Sequence, residues 1–248
     1  MTDLATHPTT RDEDWRYADA AALEASDAEA LTGWTEIAVP AGASRAESRD
    51  VTGIERIRVR IGKGGRFELS AVNAAPGYAR LECEVTLEDG AHFEFGGVTI
   101  GGGSETREFV TRCIHAEPNA TSNQVVRAVH WGKAVGNFLG RIEVVRDAQK
   151  TDAAQNFRAI LLEKGASANT KPELEIFADD VKCAHGAAIG ALDQSAGFYM
   201  AARGIPPEIA RKLQVQAFIA DAFENIEDGE LGDKLLERAL SVLEGAQL

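Results

Sequence analysis

From about residue 36 to residue 193 the chain is a succession of short runs in which apolar and polar residues alternate, and no stretch between them is long enough for repeated crossover helices. The runs are IERIRVRI (54–61), RFELSAV (66–72), RLECEVTLE (80–88), HFEFGGVTI (92–100), REFVTRCIH (107–115), NQVVRAVH (123–130), RIEVV (141–145) and ELEIF (173–177). Period-two alternation bounded by Gly, Asn and Asp marks half-buried strands. A doubly wound α/β fold is excluded, because it would need a helix between successive strands. A sandwich, a closed barrel and a β-solenoid remain open. Two features point toward the solenoid. Gly-Ala punctuation recurs at AGA, DGA, KGA and HGA, as corners stacked coil over coil would require. Two-residue hairpin signals are sparse, with one Asp-Gly between strands at Asp89. A chain with 24 glycines also produces such pairs by composition alone.

The two ends have a different texture. Residues 1–35, with DEDWRYADAAALEASDAEAL, read as a short N-terminal helical segment that Trp15 and Tyr17 could dock. Residues 194–248 read as a C-terminal helical domain. QSAGFYMAARG ends on Gly204, a natural helix stop, and PPEIARKLQVQAFIADAFENI opens with proline in its first turn. Ile209, Leu213, Phe218, Ile219, Ala222, Phe223 and Ile226 fall along one side of that helix, and Leu231, Leu235, Ala239 and Val242 along the last one. Such stripes are usually core. A small helical hairpin cannot bury every face, however, so Phe218, Ile219, Ala222 and Phe223 also form a candidate groove for a partner.

Charge narrows the function classes. With 26 Lys and Arg against 39 Asp and Glu the formal net charge is −13, and no basic patch interrupts it, so nucleic acid and anionic membrane surfaces are poor partners. No run approaches the ~20 apolar residues needed to cross a bilayer, and the N-terminus lacks a basic region followed by an apolar one, which predicts a cytoplasmic protein. Cys83, Cys113 and Cys183 are an odd, widely spaced set, expected as free thiols.

The stretch KPELEIFADDVKCAHGAAIG, residues 171–190, carries the most unusual chemistry. Residues i and i+2 of a strand project to one face, so Cys183 and His185 could reach one metal, sulfur or partner surface. Two ligands fall short of a closed four-ligand zinc or iron–sulfur site, and a buried thiol beside a hydrogen-bonded histidine is the simpler account of the spacing. A second constellation is a cupin-like metal site from His92, Glu94, His115 and His130, although DGAHFEF supplies only one histidine where such a barrel needs two. A third is acid/base work on a sugar by Asp179 and Asp180, which adjacent strand positions would send to opposite faces. No phosphate-binding loop, dinucleotide fingerprint, nucleophile elbow or HExxH occurs.

The run AQKTDAAQNFRAILLEKGASANTKPELEIFADDVKCAHGAAIGALD, residues 148–193, resembles the SufB/SufD family of iron–sulfur cluster assembly proteins, and its details favour the SufD branch. AQKTDA, NTKPELEIFADDVKC and HGA carry the resemblance, FYMAARGI and the following helix continue it to about residue 226, and DEDWRY is similar to an N-terminal element of the family. The resemblance implies a right-handed parallel β-helix core followed by a C-terminal helical domain. It implies a non-catalytic scaffold that pairs with SufB through the β-helix and binds the ATPase SufC through the C-terminal helices, here Phe218, Ile219, Ala222 and Phe223. ATP-driven association of two SufC subunits would move the SufB–SufD interface where a cluster is built. His185 then corresponds to an interface histidine and Cys183 to its neighbour, with iron or an iron–sulfur cluster held transiently and shared with SufB. An isolated chain could pair with itself through the same edge. Gly186 stands where SufB-like chains tend to have glutamate, AAQNFRAILL departs from the family's usual histidine- and asparagine-containing version, and the N-terminal helical portion is shorter than typical.

Overall fold

The structure, a computed structural model, describes residues 7–227 and 229–245. A 3-10 turn (Glu13–Trp15) and two short helices, α1 (Ala20–Ala25) and α2 (Ala28–Thr32), precede twelve strands: β1 (Thr35–Val39), β2 (Ser44–Asp50), β3 (Ile54–Ile61), β4 (Arg66–Asn73), β5 (Tyr78–Leu87), β6 (His92–Gly101), β7 (Thr106–His115), β8 (Thr121–His130), β9 (Val135–Val144), β10 (Asp152–Leu161), β11 (Ser167–Ile176) and β12 (Lys182–Gly190). Odd strands form one six-stranded sheet in the order β1-β3-β5-β7-β9-β11, and even strands form the other, β12-β10-β8-β6-β4-β2. All pairs are parallel and each strand stacks on the one two places earlier, which is a parallel β-solenoid. The sandwich and the barrel are thereby ruled out.

The turns explain how strands this short close a coil. Gly42, Gly64, Gly90, Asn119 and Lys150 all have φ between 62° and 67° and stack at one corner. There each backbone N–H donates to the next coil, as in Gly64 to Asp89 and Gly90 to Pro118. AGA and DGA mark this corner and KGA the opposite one, whereas HGA lies inside β12 and turns nothing.

Between the sheets runs an apolar interior. Phe67 and Phe93 are in register and stack with centroids 6.1 Å apart, and Phe138 packs on Phe157 at 5.8 Å. The outer face of the odd sheet is an ionic ladder, with Arg56 on Glu82, Arg58 on Glu84 and Arg112 on Glu143. The N-terminal segment docks there: the Arg80 guanidinium lies 3.8 Å from the Trp15 ring centroid and donates to the Asp14 carbonyl at 2.8 Å. Tyr17 is tied through its carbonyl, which accepts from Asn137 Nδ2 at 3.1 Å.

Of the C-terminal helices α3 (Gln194–Ala201), α4 (Pro207–Ala220) and α5 (Gly229–Ser241), α4 and α5 cover the even sheet and α3 packs on α4. Val215, Ile219, Ala222, Phe223, Leu235 and Ala239 bury themselves against Val72, Val98, Ile100 and Val129. Gly96 is required by this approach, since a Cβ there would stand 2.3 Å from the Ala222 carbonyl oxygen. Of the candidate partner stripe, Ile219, Ala222 and Phe223 therefore face the solenoid, and only Phe218 remains half-exposed.

Candidate functional site

The two ends of the solenoid differ. At the first coil Arg45, Glu47 and Arg49 pair in register with Phe67, Leu69 and Ala71, so they point inward over the end of the core. Glu47 bonds both arginines. Inward-pointing charge is a device that blunts a sheet edge against pairing. At the last coil the inward positions of β12 are Cys183, His185, Ala187 and Ile189, in register with Ala153, Gln155, Phe157 and Ala159. None of them is an arginine or a carboxylate, unlike the inward set of the first coil. His185 is exposed, Ile189 is 46% exposed, and Phe177 beside the end of β11 is 63% exposed. This end of the core is open.

Cys183 and His185 thus share one face, as their spacing predicts, and that face is the terminal layer of the interior. Cys183 is half-buried against the core, and burial, then the Asp152 carboxylate, push its thiol above the ordinary range. Gly186 pairs with Asn156 on the outer face, so a side chain there would point away from the Cys183–His185 layer.

One layer down, Gln155 crosses the interior and donates from Nε2 to the Gly140 carbonyl at 3.2 Å, while its Oε1 is buried with no hydrogen-bond partner. Below it Thr111 donates to Gln124 Oε1 at 2.6 Å. Deeper still, His115 Nε2 lies 3.0 Å from Ser122 Oγ and 3.7 Å from Cys113 Sγ. Burial lowers the His115 pKa to about 4 and raises the Cys113 thiol to about 12. Both are neutral packing groups near neutral pH. All three cysteines are free.

The cupin-like constellation does not assemble. His92 and Glu94 lie on the outer face, with Nε2 to Oε2 at 3.3 Å and His92 Nδ1 2.7 Å from Thr121 Oγ1. His115 and His130 are buried on inward positions of different sheets, and His130 is held by Thr99 at 3.0 Å and the Gly101 carbonyl at 3.2 Å. Asp179 and Asp180 sit in the bend before β12 rather than on a strand, where Asp180 pairs with Lys150. Among the described residues no three His, Cys, Asp or Glu side chains are grouped to hold a metal by themselves.

On the helices, the exposed large apolar side chains are Phe198 and Tyr199 of α3 and Ile209 and Leu213 of α4. A separate groove of about 810 Å³, between the end of α4 and α5, is lined by Arg158, Phe218, Asp221, Phe223, Asp233 and Leu236 among others. The sequence missed Gln155 and the Arg45–Glu47–Arg49 plug. β2, SRAESRD, lacks the large apolar residues that announce a strand, and the inward set of β10 is small or polar apart from Phe157.

A parallel solenoid with one charged end, one open end and helices on one sheet is the class these features define. The chain belongs to the SufBD family: the model of the SUF system FeS cluster assembly SufBD core domain matches residues 18–218. It is 32% identical over 193 residues to an iron–sulfur cluster assembly SufBD family protein of Synechocystis, covering 77% of this chain and 43% of that protein. It is 37% identical over 124 residues to the iron–sulfur cluster assembly protein SufD of Escherichia coli, covering 50% and 29%. The chain thus spans less than half the length of these relatives. No helix among the described residues is long and apolar enough to cross a membrane.

Proposed function

We propose that the chain is a scaffold subunit of SUF iron–sulfur cluster assembly, without catalytic activity of its own, that pairs through its open β11–β12 end with a SufB-type solenoid. The observation that carries this reading is the placement of His185 and Cys183 as inward residues of a terminal strand that pairs with β10 on one side only. An edge strand offers free N–H and C=O groups to a second chain, and the layer behind it offers apolar and metal-binding side chains to the same partner. The thiol and imidazole are an incomplete ligand set. Completed only by a partner, such a set holds iron or a nascent cluster as cargo without locking it in.

The C-terminal helices bind a SufC-type ATPase in this reading. Because Ile219, Ala222 and Phe223 are consumed by packing on the solenoid, the docking face is Phe198, Tyr199, Ile209 and Leu213, joined by the exposed part of Phe218. Arg127 links that unit to β8 through Asp221. A movement of the helices imposed by the ATPase would therefore be felt in the sheet that ends at β12.

The test is co-expression with a SufB and a SufC, light scattering on the purified assembly, and cluster formation followed by absorbance. A complex that forms with both wild type and His185→Ala, but accumulates cluster only with wild type, places His185 in the assembly site. Equal cluster formation in both removes it from the chemistry, and failure of the three proteins to co-purify removes the scaffold reading.

A further inference from the structure

Gln155 is an interior glutamine with half of its amide unused. It is 2% exposed, on β10, in the layer directly beneath His185. Its Nε2 donates to the Gly140 carbonyl at 3.2 Å and reaches the Glu173 carbonyl at 3.5 Å. Carbonyls only accept, so these contacts fix which end of the amide is nitrogen. The other end, Oε1, is a buried acceptor with no donor.

Two in-register neighbours carry a donor for it: His185 in the layer above, and Gln124 on β8 in the layer below, whose Nε2 is itself buried without a partner. The other surroundings supply none from the facing strand. A Cβ at Gly140 would lie 2.2 Å from Oε1, so the facing strand leaves room for the amide and gives it no side chain. In the next layer the residue in register with Gly140 is Pro172, which has no N–H to donate. Inward positions of that terminal coil on β12 are Cys183, His185, Ala187 and Ile189, and on β11 they are Ala168, Thr170, Pro172, Leu174 and Ile176. His185 is in register with Gln155 itself, one strand spacing away, about 4.8 Å. Thr170 stands instead in register with Phe138.

We propose that Gln155 is the positioning residue of His185: its Oε1 accepts the N–H of one imidazole nitrogen, so that the other nitrogen presents its lone pair out of the open end. This deepens the reading of His185 as a ligand and rests on it for its purpose. A ring nitrogen can bind a metal only when it carries no proton, and the hydrogen bond made by the other nitrogen decides which one is free. The unpaired acceptor beneath an otherwise exposed imidazole supplies that bond from within the core, where water does not compete.

The test uses the full chain labelled with 15N at histidine, observed by long-range 15N–1H correlation at about pH 8, where an ordinary imidazole is neutral. The His185 signals are assigned by their loss in His185→Ala. Wild type is expected to hold one dominant tautomer. Gln155→Met, which keeps the length and removes the amide, is expected to shift the tautomer ratio by about fivefold, the worth of one neutral hydrogen bond. Gln155→Glu retains an acceptor and restores the bias. The buried His115 and His130 report in the same spectrum that each variant is folded. An unchanged His185 ratio in Gln155→Met, with His115 and His130 signals in place, overturns the proposal, as does a ratio moved by Thr170→Val and not by Gln155→Met. Cluster formation separates this from the parent reading. A tautomer controlled by Gln155 together with normal cluster assembly by His185→Ala upholds the positioning and removes the ligand role, whereas cluster loss in His185→Ala with an indifferent tautomer does the reverse.

Discussion

The guanidinium of Arg127 donates through Nε to Oδ2 of Asp221 at 2.7 Å, across 94 positions of sequence. Arg127 stands on the outer face of β8, and its side chain is 4% exposed. It also donates to the Val126 and Asn156 carbonyls. Burial lowers its pKa, and the Asp221 carboxylate opposes that shift. The pair is a polar pin in an otherwise apolar contact between helices and solenoid.

Removing the carboxylate should loosen that contact. Asp221→Ala leaves a buried guanidinium with carbonyl partners only. The charge-assisted bond it loses is discounted because the Asp221 side chain is 41% exposed. The expected cost is about 1–2 kcal/mol. Urea unfolding should show it, and limited proteolysis should cut faster in the segment joining β12 to α4. Unchanged proteolysis would mean that the apolar contact alone holds the helices.

The two ends of the solenoid predict a one-sided association. Ile189→Lys copies onto β12 the inward charge that Arg45, Glu47 and Arg49 supply at β2. Ile189 is 46% exposed in the single chain, so folding should tolerate the change within ~1 kcal/mol. Pairing through the open end should fall at least tenfold, since a charge would be desolvated against an apolar layer. Light scattering of the variant with a SufB-type partner decides it, and a complex of wild-type affinity would place the interface elsewhere.

Thiol chemistry should separate the cysteines. Cys183 is half-buried at the open end, whereas Cys83 and Cys113 are buried in the interior with thiols raised by desolvation. A disulfide-exchange reagent at pH 8 should modify one cysteine per native chain, slowly because the Cys183 thiol is itself raised. All three should react in denaturant. Partner binding at the β12 end should protect the reactive one. Fast labelling of two or three native thiols would contradict the interior placement of Cys83 and Cys113.

How far the sequence could be read depended on which residues carried the alternation. β3 to β9 were legible because Ile57, Val59, Phe93, Phe95 and their neighbours alternate apolar with polar. β2 was not, since SRAESRD points arginine and glutamate inward, and neither was β10, whose inward set Ala153, Gln155, Phe157 and Ala159 is largely small or polar. Cys183 and His185 could be placed on one face from spacing alone. That this face closes nothing could not, because it depends on β12 being the last strand of a stack. The helical stripe was visible too, yet periodicity does not say whether Ile219 and Phe223 meet a partner or the chain's own sheet. The glutamine beneath His185 lies in AAQNFRAILL, which departs from the family's usual version and so carried no role over.

Acid should weaken the fold before most carboxylates protonate. Burial holds the His115 pKa at about 4, and burial with the nearby Arg107 charge holds His130 at about 3. The unfolded chain takes up these protons near pH 6.5, so between there and pH 4 it binds more protons than the native state. Stability therefore rises with pH through that window and falls as pH is lowered through it, with each histidine contributing on the order of a few kcal/mol by pH 4. Urea midpoints measured from pH 7 down to pH 5 should decline in wild type. His115→Gln cannot titrate, and its slope should be shallower even if its midpoint at pH 7 is lower. A wild-type stability that is flat from pH 7 to 5 would show that these imidazoles accept protons without leaving the interior.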